Sequence, residues 1–291
     1  MSGRLLTYCD NFGLDSVHTL LSPRFEDTLF WSGNPVSTTT GNLRFLCARD
    51  RDGQHIAPVD ISVIGDFDVL DYTLRPGGGS NGSDAFDEAV STAWLKCPAH
   101  VALNGRWAPQ LYRLNLAIES ALPSGVSADL RHGVHIPIDW QRERIRFSHR
   151  FLHKKHAAVL PRPLSPLEDD LHREWRNDGR EWTPDDTEGW SFKDYKITKH
   201  FLQCAYGGKH IVCPLPVYAA ARPRLPIEQS SCENQVKGGL VRVDFVLLEN
   251  VLDEGRTHIF TAEITKLTVL QTPAYHPFTT RLWDGIDCGS P

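Results

Sequence analysis

The stretch from Val241 to Leu270 constrains this chain more than any other. Val241, Val243, Phe245 and Leu247 alternate with Arg242 and Asp244, the two-residue period of a strand that buries one face. Asp253-Glu254-Gly255-Arg256 supplies a turn, and Ile259 to Leu270 runs back, which predicts a long antiparallel hairpin. Two strands alone are marginal in water, so the rest of the chain must supply more sheet to cover that apolar face.

Several segments offer it. Leu43 to Ala48 and Ile56 to Ile64 flank Asp50-Arg51-Asp52-Gly53, a hairpin connection, and Phe67 to Leu74 is a further apolar-rich run. Val134, Ile136, Ile138 and Trp140 alternate with His135, Pro137 and Asp139; Pro137 lacks an amide donor, which places this strand at an edge. Arg144, Arg146 and Ser148 then alternate with Ile145, Phe147 and His149, and the switch of apolar parity after Trp140 predicts a bulge or corner. A second hairpin is expected between His200–Tyr206 and Lys209–Leu215 around Gly207-Gly208.

Helix signals are fewer. Ser83 can cap a helix from Asp84 to Lys96, stopped by Pro98, and Ser165-Pro166-Leu167-Glu168 is a capping box that opens a helix from Pro166 to about Asn177. Leu111 to Leu122 fits either period: Leu111, Leu114, Ile118 and Ala121 suit a helix, whereas Tyr112, Leu114, Leu116 and Ile118 suit a strand. Residues 161–189 and 214–239, rich in proline and weak in periodicity, read as connectors. The expected fold is mainly β with some helix. It is an antiparallel sandwich or barrel-like sheet in one domain over residues 1–291, with a few peripheral helices and long Pro/Gly-rich loops.

Charge narrows the function classes. The formal net charge is −5, against a nucleic-acid coat protein with a basic arm. Of the 31 basic residues, 22 are Arg, which favours interfaces because guanidinium holds planar contacts. Met1 to Gly13 shows no apolar signal-peptide core, and the most apolar stretch, His210 to Ala221, is too short to span a bilayer and is broken by Pro214 and Pro216. The seven cysteines form no Cys-x-x-Cys pair. Reduced thiols, and an intracellular or virion location without a signal peptide, are therefore expected.

Each candidate site has an ordinary reading beside it. Gly77-x-Gly79-x-x-Gly82 spells a dinucleotide fingerprint, but Asp84 and Asp87 would repel a phosphate there and no alternating βα pattern surrounds it. His149, His153 and His156 would share a helix face suited to zinc, yet Arg150, Lys154 and Lys155 oppose a cation and the segment reads as strand. His200, Cys204, His210 and Cys213 do not converge, because hairpin alternation puts His210 on the opposite face. Asp66, Asp68, Asp244 and Glu263 resemble fragments of a metal-dependent nuclease, but Asp244 and Glu263 are better placed as a surface pair across the hairpin. No Gly-x-Ser-x-Gly elbow or phosphate loop occurs, and Pro223-x-x-Pro226 marks an extended loop. No catalytic residue, cofactor or metal is expected.

The stretch from Arg142 to His156 is the most cationic. With Trp140, Phe147 and Phe151 interleaved, it makes Arg142, Arg144, Arg146, Arg150, Lys154 and Lys155 candidate contacts for RNA or an acidic protein. These features point to a non-catalytic structural or assembly protein, foremost a viral capsid or capsid-associated subunit that touches other protein subunits in a homo- or hetero-oligomer. Two alternatives stand beside it. One is a β-rich enzyme, a hydrolase or nucleic-acid-processing protein, with a site the sequence does not show. The other is a carbohydrate-binding β-sandwich using Trp31, Trp107, Trp182 and Trp190.

Overall fold

The computed structural model of this chain describes residues 20, 29–32, 36–38, 41–49, 56–76, 90–122, 133–154 and 210–273. Its organising feature is a ring of five strands: β5 (Ile61–Tyr72), β6 (Ser91–Lys96), β9 (Arg144–His149), β14 (Leu240–Leu252) and β15 (Thr257–Gln271). The predicted hairpin forms, with β14 and β15 antiparallel from Leu252↔Thr257 back to Leu240↔Gln271. The other edge of β14 takes β5, from Ile61↔Phe245 to Asp66↔Leu240. β5 continues into β6 through Asp66↔Lys96 and Phe67↔Leu95, and β6 into β9 from Ser91↔His149 to Lys96↔Arg144. The ring closes where β9 meets β15 in parallel, through Phe147↔Ala262 and Ser148↔Glu263. Side by side, β14, β5, β6 and β9 have the fourth-first-second-third order of a Greek key.

Alternation explains what fills the ring. Val63, Phe67, Ala93, Leu95, Ile145, Phe147, Val243, Phe245, Phe260 and Ala262 turn inward into one buried cluster. Phe147 and Phe245, from opposite walls, meet edge to face at 5.0 Å. One side is sealed by α2 (Trp107–Glu119), which follows the single turn α1 (Val101–Asn104) and buries Trp107, Leu111, Leu114 and Ile118 in the same cluster. The Gln110 amide of α2 accepts from the Ile64 backbone N–H at 3.1 Å and donates to its carbonyl at 3.3 Å, standing in for a neighbouring strand. Leu111 to Glu119 is therefore helix, and its ambiguity is settled by this packing.

Further strands extend the ring into a thirteen-stranded sheet. β3 (Gly41–Arg49) joins β14 through Phe45↔Leu248 and takes β1 (Leu29–Trp31), β2 (Val36–Thr38) and β4 (Ile56–Pro58) as antiparallel neighbours. Fully buried Glu249 fastens this corner, paired with Arg44 at 2.8 Å and with His258 Nδ1 at 2.7 Å. β7 (Val134–His135) runs parallel to β15, and β8 (Ile138–Asp139) forms a tight hairpin with β9. β12 (Val217–Ala219) lies parallel to β15 and carries β13 (Arg222–Pro226), while β10 (Leu152–Lys154) and β11 (His210–Val212) make a separate ribbon. The fold is mainly β, as the alternation predicts.

Three expectations change. Ser91–Lys96 is strand, not the end of a helix from Asp84: Ser91, Ala93 and Leu95 are buried while Thr92, Trp94 and Lys96 face outward. Residues 84–89 lie outside the described residues, as do Pro166–Asn177 and residues 161–189. Residues 214–239 are not a connector. They form β12, β13 and the helix α3 (Gln229–Val236), with Leu215, Val217, Cys232 and Val236 in the core. Val134–Trp140 is two short strands, and the parity change before Ile145 is a turn at which Glu143 takes a positive φ of 48°. One edge of β11 takes β10, and the expected hairpin with His200–Tyr206 lies outside the described residues.

Candidate functional site

The outer surface of β6 and β9 carries the most elaborate polar arrangement among the described residues. It begins with a register fault. Phe67 pairs with Leu95 and Tyr72 with Ala93, so Asp68, Val69, Leu70 and Asp71 stand where β6 offers only Trp94. Four residues against one must loop outward. Leu70 is consequently 91% exposed and Val69 51%. The Asp68 carboxylate accepts the Leu70 N–H at 3.1 Å, which shapes the bulge.

Arg144 ties this bulge to β9. Its guanidinium reaches across β6 to Asp68 at 3.3 Å and Asp71 at 2.5 Å, and Nε donates to Asp139 at 3.2 Å. The group lies 4.4 Å from the centroid of the Trp94 ring, a cation–π distance, and its side chain is only 8% exposed. Burial works against this charge, yet the hydrogen bonds it donates to Asp71 and Asp139 hold the Arg144 pKa above its ordinary value. Asp139 is slightly desolvated too, but the Arg144 guanidinium and the Arg142 N–H keep its carboxyl below the usual range.

Around this knot stand the groups that meet solvent. Arg142 is 67% exposed, 4.0 Å from Asp71, and Lys96 is half-exposed, 4.0 Å from Asp68. Arg146, 5.8 Å from the Trp94 ring, and Arg150 are exposed, as is Trp140 in the β8–β9 turn. Asp68 and Asp139 are largely turned into the knot, which leaves Asp71 and Glu143 as the exposed acids beside four exposed cations. At the ring closure, burial pushes the Glu263 carboxyl up, and Arg150 opposes that shift.

The six cationic candidates therefore separate. Arg142, Arg146 and Arg150 present charge to solvent, whereas Arg144 is corrected: three carboxylates surround it, and it serves as a brace rather than a contact. Lys154 is in β10 and Lys155 lies outside the described residues. His149 and His153 are on strands and share no helix face; His149 Nε2 meets the Cys213 carbonyl at 2.9 Å. His156, His200, Cys204 and Gly77–Gly82 lie outside the described residues, among which no three His, Cys, Asp or Glu side chains gather to hold a metal.

The acids do not form a nuclease set. Asp66 accepts the Ala99 N–H at 2.8 Å, and Asp244 is held by Ser62 and Arg242. Asp244 faces Lys266 across the hairpin and Glu263 faces Val246, so the expected surface pair is not formed. Trp31 and Trp107 are core residues whose indole N–H groups donate to the Ala117 and Glu143 carbonyls, which removes them as sugar platforms. Trp182 and Trp190 lie outside the described residues. The bulge escapes sequence reasoning; its one signal is Val69-Leu70 bracketed by Asp68 and Asp71, which breaks the two-residue period.

No protein-family model matches this chain, and no curated protein is similar to it. Among solved structures, the single-stranded DNA-binding protein gp2.5 encoded by bacteriophage T7 aligns with a TM-score of 0.36 and 11% identity, over 74% of this chain and 93% of that one. A likeness that distant decides nothing by itself, and the class is set by the strand ring: a five-stranded Greek-key barrel.

Proposed function

We propose that this chain is a non-catalytic binding protein whose β6–β9 face holds a single-stranded nucleic acid. The observation that supports this reading most is the surface of the ring's second and third strands, where Lys96, Arg142, Arg146 and Arg150 are spread along β6, β9 and the turn before it, with Arg146 5.8 Å from the Trp94 ring and Trp140 exposed in that turn. Cations spaced along a backbone track with aromatic groups between them are the chemistry of single-strand recognition. The five-stranded Greek-key barrel is the OB architecture, which takes oligonucleotides and oligosaccharides on that same face. Architecture alone assigns no ligand. The guanidinium-rich surface favours the oligonucleotide, and the exposed Trp140 side chain favours unpaired bases over a duplex.

The reading is tested by fluorescence anisotropy with a labelled oligothymidine, duplex DNA as competitor, and the double variant R146E/R150E. Both residues are exposed, so the variant should fold. Wild type is expected to bind with a log K against log salt slope of about −2 to −3, from three or four phosphates at roughly −0.7 each. The variant should lose about tenfold or more in affinity and flatten the slope by about 1–2. Wild type that ignores oligonucleotide, or a variant that binds like wild type, overturns the reading.

A shell-subunit role is the second reading, favoured by β13. This strand ends the sheet and exposes Leu225 between Arg224 and Pro226. Native mass measurement separates the two: a large closed oligomer without nucleic acid supports the shell, and a small species that takes up oligonucleotide supports the binding protein. Among the described residues no helix is long and apolar enough to cross a membrane.

A further inference from the structure

We infer that Leu70 is a wedge that inserts between two bases of the bound strand, an inference that rests on the single-strand reading of the β6–β9 face. Burial normally disposes of a leucine, yet this one stands 91% exposed beside the aromatic and cationic groups of that face. Its position is fixed rather than incidental. The register fault puts residues 68–71 opposite Trp94, and the Arg144 guanidinium, lying over that indole, grips the bulge on both sides of Leu70 through Asp68 and Asp71. Asp68 also holds the Leu70 N–H, and Arg142 stands 4.0 Å from Asp71 on the solvent side. A bulge braced by four charged side chains does not fold back to bury its tip.

Chemistry selects the occupant. A protein partner would ask for a broad apolar patch, whereas Val69 and Leu70 form a narrow apolar tip ringed by Asp68, Asp71, Arg142 and Arg144. A narrow tip of this kind fits the gap between adjacent bases, whose π-faces accept an aliphatic wedge while Arg142 and Arg146 take the flanking phosphates. Trp94 and Arg144 then act as the floor under the wedge rather than as the stacking platform.

The test uses the full chain with oligothymidine carrying 2-aminopurine at successive positions. L70A deletes only exposed atoms, so its thermal midpoint should match wild type, and L225A serves as an exposed-leucine control on β13. L70A is expected to weaken binding about tenfold, the equivalent of one lost stacking contact. It should also abolish a 2-aminopurine fluorescence change confined to one position along the strand, while L225A leaves both unchanged. D71N, which loosens the grip of Arg144, should reduce the same signal. If L70A binds and perturbs 2-aminopurine like wild type while R146E/R150E still loses affinity, the wedge is wrong and the binding face stands. If neither variant changes binding, both fall.

Discussion

At the scale of single residues, the barrel depends on what is missing at Gly65. A Cβ there would meet the Lys96 carbonyl oxygen at 2.7 Å, Leu95 Cγ at 2.8 Å and the Trp107 ring at 2.9 Å. The first is backbone of the neighbouring strand and cannot yield without breaking the β5–β6 pairing. Gly65→Ala is therefore expected to cost about 1–3 kcal/mol, read as a lower urea midpoint. Glu263 tests the opposite sign. Burial raises its pKa in the folded chain, so the folded state holds the proton more tightly than the unfolded one, and stability is lost as pH rises through the glutamate range. Glu263→Gln removes that loss. It should exceed wild type in stability at about pH 7, and the gain should shrink toward about pH 4. Denaturant midpoints at the two pH values check it, and a gain that grows toward acid would contradict the burial argument.

At the scale of elements, α2 does more than fill the barrel. Its first residue, Trp107, donates from the indole to the Glu143 carbonyl at 2.7 Å, and Glu143 is the left-handed corner of the turn that delivers Arg142 and Arg144. Trp107→Phe keeps most of the buried area and deletes that bond. A loss of about 1–2 kcal/mol is expected in thermal melts and, on the single-strand reading, weaker oligonucleotide binding because the turn is no longer held. The same comparison shows why elements differ in legibility. The β14–β15 hairpin and β9 were readable because each buries one face over enough residues for a two-residue period to stand out. β6 was not, because six residues carry little period and Ser83, Asp84 and Pro98 frame them like a helix. The residues of α2 fit both periods, and the deciding bonds from Gln110 to Ile64 join positions 46 apart in sequence.

For the molecule as a whole, the sequence announced sheet but not closure. Alternation says which face of a strand is buried, and it does not say which strand lies next to which. The candidate face was legible in part: the exposure of Arg142, Arg146 and Arg150 follows from the pattern after Trp140, while Arg144 carries the same signature and is spent internally. Only the register fault in β5, a property of two strands at once, distinguishes it. That pairing of distant segments also sets how the ring can come apart. β14 and β15 share thirteen register pairs, and β9 and β15 share two. The ring is thus fastened by a short clasp that joins Phe147 to Ala262, positions far apart in the chain. On the single-strand reading, an oligonucleotide held on β6 and β9 would favour the closed ring over the open one, so a loaded barrel should come undone more slowly than an empty one.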